Sequence, residues 1–435
     1  MYPKYVPVER GNYMAKFSKL VQNVQLPKMI KVKQCFDRPI LEDIPSALRK
    51  ELSRDAILSS IKPGMTVGIT GGSRGVANIA LIIREIVSLC KERGAHPFIF
   101  PAMGSHGGAT AEGQTIVLKN LGITEEFCGC PIRATMETKQ IGFTAEGHVV
   151  QIDKYAAEAD GYIAVNRIKP HTAFHGTYES GLMKMLAIGV GKQRGADVMH
   201  KTGFKYMHKD VPMFGKAIIE NSNLLFGVGT IENAFDETCF IGALTPREII
   251  SEEPKLLLQA KDLMGSLLFH EIDVLIVDEI GKNISGDGAD PNISGQFITP
   301  YATGGIKSQR RVALSLTKET HGNAAGFGAF DAITKRLYNQ VDLEETYPNA
   351  ITNTLLHTVK IPIIMDNDRD AIAIALKACN EIDYDSPRVI RIRNTAHIED
   401  IYISEALLGE AKANPQITIE SEPIDFAFDD SGNLF

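Results

Sequence analysis

Four loops of this chain carry residue types able to do chemistry. The first reads Gly71-Gly72-Ser73-Arg74-Gly75. Glycines let a backbone approach a ligand, N–H groups ahead of a helix attract anions, and an arginine grips a carboxylate or phosphate through two parallel hydrogen bonds. The plain alternative is a tight turn with a surface arginine. A Walker-type phosphate loop is excluded because no Gly-Lys-Ser/Thr follows. The second loop, Gly104-Ser105-His106-Gly107-Gly108, sets a histidine among glycines. His106 is either a solvated loop histidine or a general base suited to neutral pH.

The third segment is the richest. It reads Lys169-Pro170-His171-Thr172-Ala173-Phe174-His175-Gly176, then Ser180-Gly181-Leu182-Met183-Lys184, with His200 further on. Lys184 stands in a run of small and apolar residues. A lysine buried there must pair, or lose its proton and become nucleophilic; one that snorkels to the surface does neither. Several histidines converging on one cleft also suit a metal, although the spacing is not that of a zinc site. The fourth loop begins Gly281-Lys282-Asn283. Its surrounding carboxylates, Asp278, Glu279, Asp287 and Asp290, suit either a hard cation or ordinary turn chemistry.

The elements that must position these loops follow from hydrophobic pattern. Short β-rich runs at 65–70, 96–101 and 162–168 each end in a glycine-rich or polar loop. Helical spacing follows at 76–93, 111–121 and 212–221, the last with Pro212 in its first turn. The pattern restarts near 270, with a strand at 272–280 and further strands at 311–316, 361–365 and 388–392. Helices at 330–339 and 369–379 lie between them. Strand, glycine loop, helix, strand predicts an α/β fold of two α/β domains with mainly parallel sheets. The expected division is 1–268, an N-terminal catalytic and cofactor-binding domain, and 269–435, a C-terminal domain, with the active site in the cleft between them. Ligands of open parallel sheets lie beyond the carboxyl ends of the strands, and those ends select the four loops above.

Composition bounds the function. The chain has 435 residues, 44% hydrophobic and 23% charged, with a formal net charge of −7. That is enough apolar material for two cores and leaves no positive footprint for nucleic acid or an anionic membrane. The six cysteines, of which only Cys128 and Cys130 are close, read as free thiols of a reducing compartment. With no signal region and no membrane-length apolar run, the expected location is cytoplasmic.

Taken in order, Gly-Ser-Arg-Gly at 72–75, Gly-Ser-His-Gly-Gly-Ala-Thr at 104–110, Lys-Pro-His-Thr at 169–172, Ser-Gly-Leu-Met-Lys at 180–184 and His200 resemble the lactate racemase family, the nickel-pincer-nucleotide enzymes. The resemblance covers residues 66–200. It implies an isomerase, a racemase or epimerase inverting the α-carbon of a 2-hydroxy acid by hydride transfer. It implies a nickel-pincer nucleotide covalently attached through Lys184, with His200 as nickel ligand and Gly72 and Ser73 against the cofactor. His106 and His171 would be the two bases, and Arg74 would hold the substrate carboxylate. His175 and Lys282 would contact substrate, and cofactor-biosynthesis proteins would be partners. The alternative reading of the residues is a lyase or hydrolase on the same scaffold, using an ordinary divalent metal held by His106, His171 and His200. A carrier protein without turnover is a third.

Overall fold

The structure, a computed structural model, describes residues 16–73 and 75–435. Arg74 lies outside the described residues. Among those described, two large sheets form the cores. The first has five strands in the order His96–Pro101, Thr66–Gly71, Gly161–Arg167, Leu224–Glu232, Thr238–Leu244. Its first four strands are parallel and the last pair is antiparallel. The second has eight strands, ordered Ile363–Met365, Ala332–Thr334, Lys307–Leu316, Glu271–Ile280, Val389–Ile392, Asp400–Ser404, Met29–Gln34, Ile417–Ile419. Its first five strands are parallel and the remaining three pair antiparallel. The fold is therefore α/β with mainly parallel sheets, as the sequence predicts. Met29–Gln34 belongs to the sheet of the C-terminal half, so no single chain position separates the two sheets. The tail turns back to pair with that strand.

Each sheet buries apolar side chains on both faces, the arrangement that makes parallel strands continuous hydrophobic runs. In Glu271–Ile280, Ile272, Leu275, Val277 and Ile280 join one core and Val274 and Ile276 the other. Helix Ile79–Glu92 covers one face of the first sheet with Ile79, Ile82, Ile83, Ile86 and Cys90. At about 25 cal/mol per Å² of apolar surface removed from water, such stripes dominate the folding free energy. Among the described residues no helix is long and apolar enough to cross a membrane.

Three elements differ from expectation. The segment predicted as a helix over 330–339 is a short strand, Ala332–Thr334, running into a short helix, Lys335–Asn339. Pairing with Val312 and Ala313 outweighs helical propensity there. Helix Met207–Asn221 begins five residues before Pro212, which sits inside it and not in its first turn. The helix after the first glycine loop starts at Ile79, not at 76, and the Ala77 N–H ahead of it is taken by Glu232 at 2.7 Å. A carboxylate of the protein thus occupies a donor that an anionic ligand would use.

One buried ion pair ties the strand ends together. Lys192 has no exposed side-chain surface; its Nζ pairs with Asp153 Oδ2 at 3.0 Å. It also donates to Gln114 Oε1 at 3.1 Å and to the Pro101 carbonyl. Gln114 in turn donates to the carbonyls of Gly104 and His106, at 2.9 and 3.2 Å. Gly107 packs its backbone on Gly113 and Gln114 so closely that a Cβ would lie 2.6 Å from the Gln114 nitrogen, and its φ of +65° favours glycine. The His106 loop is therefore seated by a buried chain of polar contacts. Replacing Lys192 by Met leaves the Asp153 carboxylate buried and unpaired, and is expected to cost about 3–5 kcal/mol in urea unfolding. The Lys192→Met, Asp153→Asn double variant should recover part of that loss; a wild-type midpoint in the single variant would show that the pair contributes nothing.

Candidate functional site

The strand ends meet around a cavity of about 1230 Å³. The 103–106 loop, the 167–184 segment and the 196–207 turn line it from the first sheet; the 282–287 loop lines it from the second. His106, His171, Lys184, His200 and Lys282 all reach this lining. Gly72 and Ser73 line an adjoining cavity of about 640 Å³ that shares His106 and Lys184 with the first. His175 lies outside both linings and turns toward the second sheet's loops. Ser73 and Gly75 line the neighbouring rim; Arg74 is outside the described residues.

The loop carrying His171 is closed by a pinch at its base: Lys169 and Ser180 exchange backbone hydrogen bonds at 2.8 and 3.1 Å. Within it, Glu179 has a side chain with no exposed surface. Its carboxylate accepts from the His171 N–H at 2.8 Å, the Gly176 N–H at 3.2 Å, His175 Nδ1 at 3.1 Å and Lys261 Nζ at 2.6 Å. Burial pushes the Glu179 carboxyl up, and the hydrogen bonds from His175 and Lys261 more than reverse it, leaving it below the usual carboxylate value. From the other sheet, Asn292 Nδ2 donates to the His171 carbonyl at 3.3 Å, and the His175 N–H donates to the Tyr301 carbonyl at 3.0 Å.

Lys184 closes a short helix, Leu182–Lys184, that widens at once into a π-helical turn over Met185–Val190. Such wide turns are rare and concentrate at functional sites. Glu253 Oε2 accepts the Met183 N–H at 2.9 Å, at the start of this helix. Gly181 passes so close that a Cβ would meet Glu253 Oε1 at 2.2 Å. Burial pushes the Glu253 carboxyl up to about 8, and the N–H bonds from Met183 and Leu182 offset only part of the rise. Glu253 and Lys261 both stand on helix Pro246–Asp262, about two turns apart. Pro254 within that helix has no N–H for the Ile250 carbonyl; Tyr178 Oη donates to that carbonyl instead, at 2.6 Å.

The histidines differ in state. His106 Nδ1 lies 2.8 Å from the Met103 carbonyl, which can only accept, so this nitrogen carries a proton, and in the neutral ring Nε2 carries the lone pair. Ser73 Oγ lies 3.1 Å from the same nitrogen. His171 Nδ1 instead accepts the Ala173 N–H at 3.0 Å, and its ring rests on Phe174 at 4.4 Å between centroids. Burial holds His171 well below the ordinary imidazole value, and the nearby charges of Lys184 and Lys169 lower it further. His175 faces acceptors with both nitrogens, Glu179 at 3.1 Å and the Thr303 carbonyl at 2.9 Å, and the carboxylate raises its pKa. Burial, then Lys184, lowers His200 to about 4. Its Nδ1 is buried without a hydrogen-bond partner.

Among the described residues no group of three or more His, Cys, Asp or Glu side chains is placed to hold a metal ion. A triad of His106, His171 and His200 around one cation is not formed. Asp290, one of the fourth-loop carboxylates, is taken by Lys169 at 3.4 Å and caps the helix Pro291–Ser294. Lys282 Nζ donates to the Gly286 carbonyl at 2.6 Å, within its own loop. Sequence reasoning missed Glu179, Glu253 and Lys261. One signal was present: Thr245-Pro246-Arg247-Glu248 is a capping box with proline at the first helical position, and it announces the helix that carries two of them.

A family described as a domain of unknown function, DUF362, matches residues 60–263. No curated protein matches this chain. Among solved structures, the lactate racemase apoprotein from Thermoanaerobacterium thermosaccharolyticum is similar over 85% of this chain and 99% of that one, at 14% identity and a TM-score of 0.48. A protein from Thermotoga maritima is similar over 64% of this chain and 71% of that one, at 14% identity and a TM-score of 0.46.

Because Glu253 binds its proton more tightly folded than unfolded, its contribution to stability is lost as pH rises from the ordinary carboxylate value of about 4.3 toward about 8. Glu253→Gln keeps an acceptor for the Met183 N–H and cannot ionise. It should therefore unfold at a higher urea concentration than wild type near pH 8, the difference shrinking toward acid. Parallel pH profiles for the two proteins would refute the burial of an ionisable proton at this position.

Proposed function

We propose that this chain is a racemase or epimerase that inverts the α-carbon of a 2-hydroxy acid. The observation that carries the reading is the convergence of Lys184, His106, His171 and His200, drawn from separate loops, on one cavity at the strand ends. These are the positions at which the motifs resemble the nickel-pincer-nucleotide enzymes.

The residues present suit such a cofactor. A buried imidazole that is neutral at physiological pH, with Nδ1 lacking any hydrogen-bond partner, is a donor suited to a borderline transition metal. With no three-residue ligand cluster among the described residues, the remaining donors would come from an organic group, and Lys184 would anchor it. Gly72 and Ser73, beside Lys184 in the adjoining cavity, would flank it. Bound there, the nickel-pincer nucleotide would supply the acceptor for the α-hydrogen as hydride.

The protein's own groups do the rest. His106, with its lone pair on Nε2, accepts the substrate hydroxyl proton. His171 stands at the substrate oxygen. Arg74 and Lys282 hold the carboxylate, and the cationic cavity favours an anionic substrate. His175 serves the site from behind, through Glu179. A division at 268/269, with Met29–Gln34 crossing to the second sheet, would give the catalytic loops to the N-terminal unit and Lys282 to the C-terminal one. Loading depends on cofactor-biosynthesis proteins in a cytoplasmic setting.

Protein co-expressed with pincer-cofactor biosynthesis should carry a nucleotide-sized adduct on the Lys184 peptide with nickel bound, and should invert a 2-deuterated hydroxy acid with label retained in the product. Unmodified Lys184 with zinc or manganese bound would replace this reading with an ordinary metal-dependent lyase or hydrolase. Washout of label during inversion would reject hydride transfer.

A further inference from the structure

The second half presents a polar wall to the cavity, and the proposed chemistry uses only Lys282 of it. Ser285 is 3% exposed, and its Oγ is buried without a hydrogen-bond partner. It lines the cavity that His106, His171, Lys184 and His200 line from the first sheet. A buried hydroxyl left unpaired is destabilising, and such groups are rare. Backbone bonds fix its place. The Ser285 N–H donates to the Gly281 carbonyl at 3.1 Å, the Gly288 N–H to the Ser285 carbonyl at 3.1 Å, and the Gly281 N–H to the Gly288 carbonyl at 2.9 Å. Gly288 makes the turn with a φ of +76°.

Helix Leu343–Asn353 supplies the rest of this wall. Asn349, Thr352 and Asn353 line the same cavity, at the spacing of three and four that shares one helix face. Thr346 and Ala350, on the adjoining face, are buried, and Thr346 Oγ1 accepts the Ala324 N–H at 3.1 Å. Asn353 Oδ1 accepts the Leu355 N–H at 2.9 Å, so its amide N–H₂ is what it offers a ligand. The Asn349 amide and the Thr352 hydroxyl can each donate and accept. Asp287, on the Ser285 loop, lines the cavity as well, and a carboxylate only accepts. Ile284, Ile298 and Leu355 lie among these groups and suit the C–H face of a ligand.

We infer that this wall is a polyol subsite, and that the substrate is a 2-hydroxy acid whose further carbons carry hydroxyl groups, an aldonic acid. This rests on the proposed racemase or epimerase reading and names its substrate class. A hydroxyl both donates and accepts, so it can pair with Ser285, Thr352 or an asparagine amide, and neighbouring hydroxyls can both donate to Asp287. The methyl group of lactate would leave Ser285 unpaired. The second carboxylate of a dicarboxylic acid would meet Asp287, and among the described residues Lys282 is the one cation on this wall. Sites built to pair a substrate hydroxyl reject analogues that lack it, because their own polar groups are then stranded.

The test compares D-gluconate, D-lactate and D-malate, which share one configuration at the α-carbon, on protein co-expressed with pincer-cofactor biosynthesis. Gluconate should be inverted with a kcat/KM at least about a hundredfold above the other two. Ser285→Ala and Thr352→Val should each lower the gluconate-to-lactate ratio of kcat/KM about tenfold, with the urea midpoint of wild type. Preference for lactate or malate, or a ratio unmoved in both variants, overturns the subsite while leaving the racemase reading in place. Calorimetry on the same protein separates the reverse case. Gluconate bound in preference to lactate and weakened by both substitutions, yet never inverted, would reject the reaction and support the subsite. Gluconate neither bound nor inverted overturns the subsite.

Discussion

Glu179 is a carboxylate with no exposed surface, and the site depends on how that burial is satisfied. A lone buried charge costs several kcal/mol, so the chain must bring donors to it. Two are backbone N–H groups of its own loop, one is the His175 ring, and one is Lys261 on helix Pro246–Asp262. Meeting the demand of one carboxylate therefore fixes the path of 171–176, the orientation of His175 and the approach of helix Pro246–Asp262. The same helix delivers Glu253 to the helix bearing Lys184. Two acidic side chains outside the cavity lining thus set the positions of the lysine and the histidine that face the cavity.

The histidines show how far surroundings outweigh residue type. His175 meets two acceptors and is favoured as the cation. His171, which meets a donor and two nearby lysines, is held neutral. His106 turns Nδ1 to a carbonyl, and His200 keeps a buried Nδ1 with no hydrogen-bond partner. Burial holds the His171 and His200 rings below the ordinary imidazole value, and the charge of Lys184 lowers both further.

Much of this was legible in the sequence because it depends on local pattern. The strand at 272–280 and the glycine loops after 71 and 104 follow from apolar runs ended by residues that tolerate tight turns. His106, His171, Lys184 and His200 were singled out from the same text, and the fold carries them to one lining. What was not legible depends on distant pairing. The short strand Ala332–Thr334 exists because of its neighbour in the sheet, which a helix-like local pattern conceals. His175 reads like a second site histidine beside His171, yet Glu179 and the Thr303 carbonyl draw it away from the cavity. The early start of helix Met207–Asn221 shows that an internal proline need not mark a first turn.

The second sheet's share of the site was hidden for a further physical reason. Its grip on the 171–176 loop runs partly through side chains, Asn292 to the His171 carbonyl and Thr299 to the Ala173 carbonyl, and partly through backbone: the carbonyls of Tyr301 and Thr303 accept from His175. A carbonyl offers the same acceptor whatever side chain it bears, so these contacts leave no signature in residue types. They also leave those side chains unconstrained by the need to hold the loop. At 301 and 303 the second half can therefore change its side chains while these two bonds to His175 stay in place. The path of the loop thus rests on a buried carboxylate of the first half, on two side chains of the second, and on two carbonyls whose own residues are free to vary.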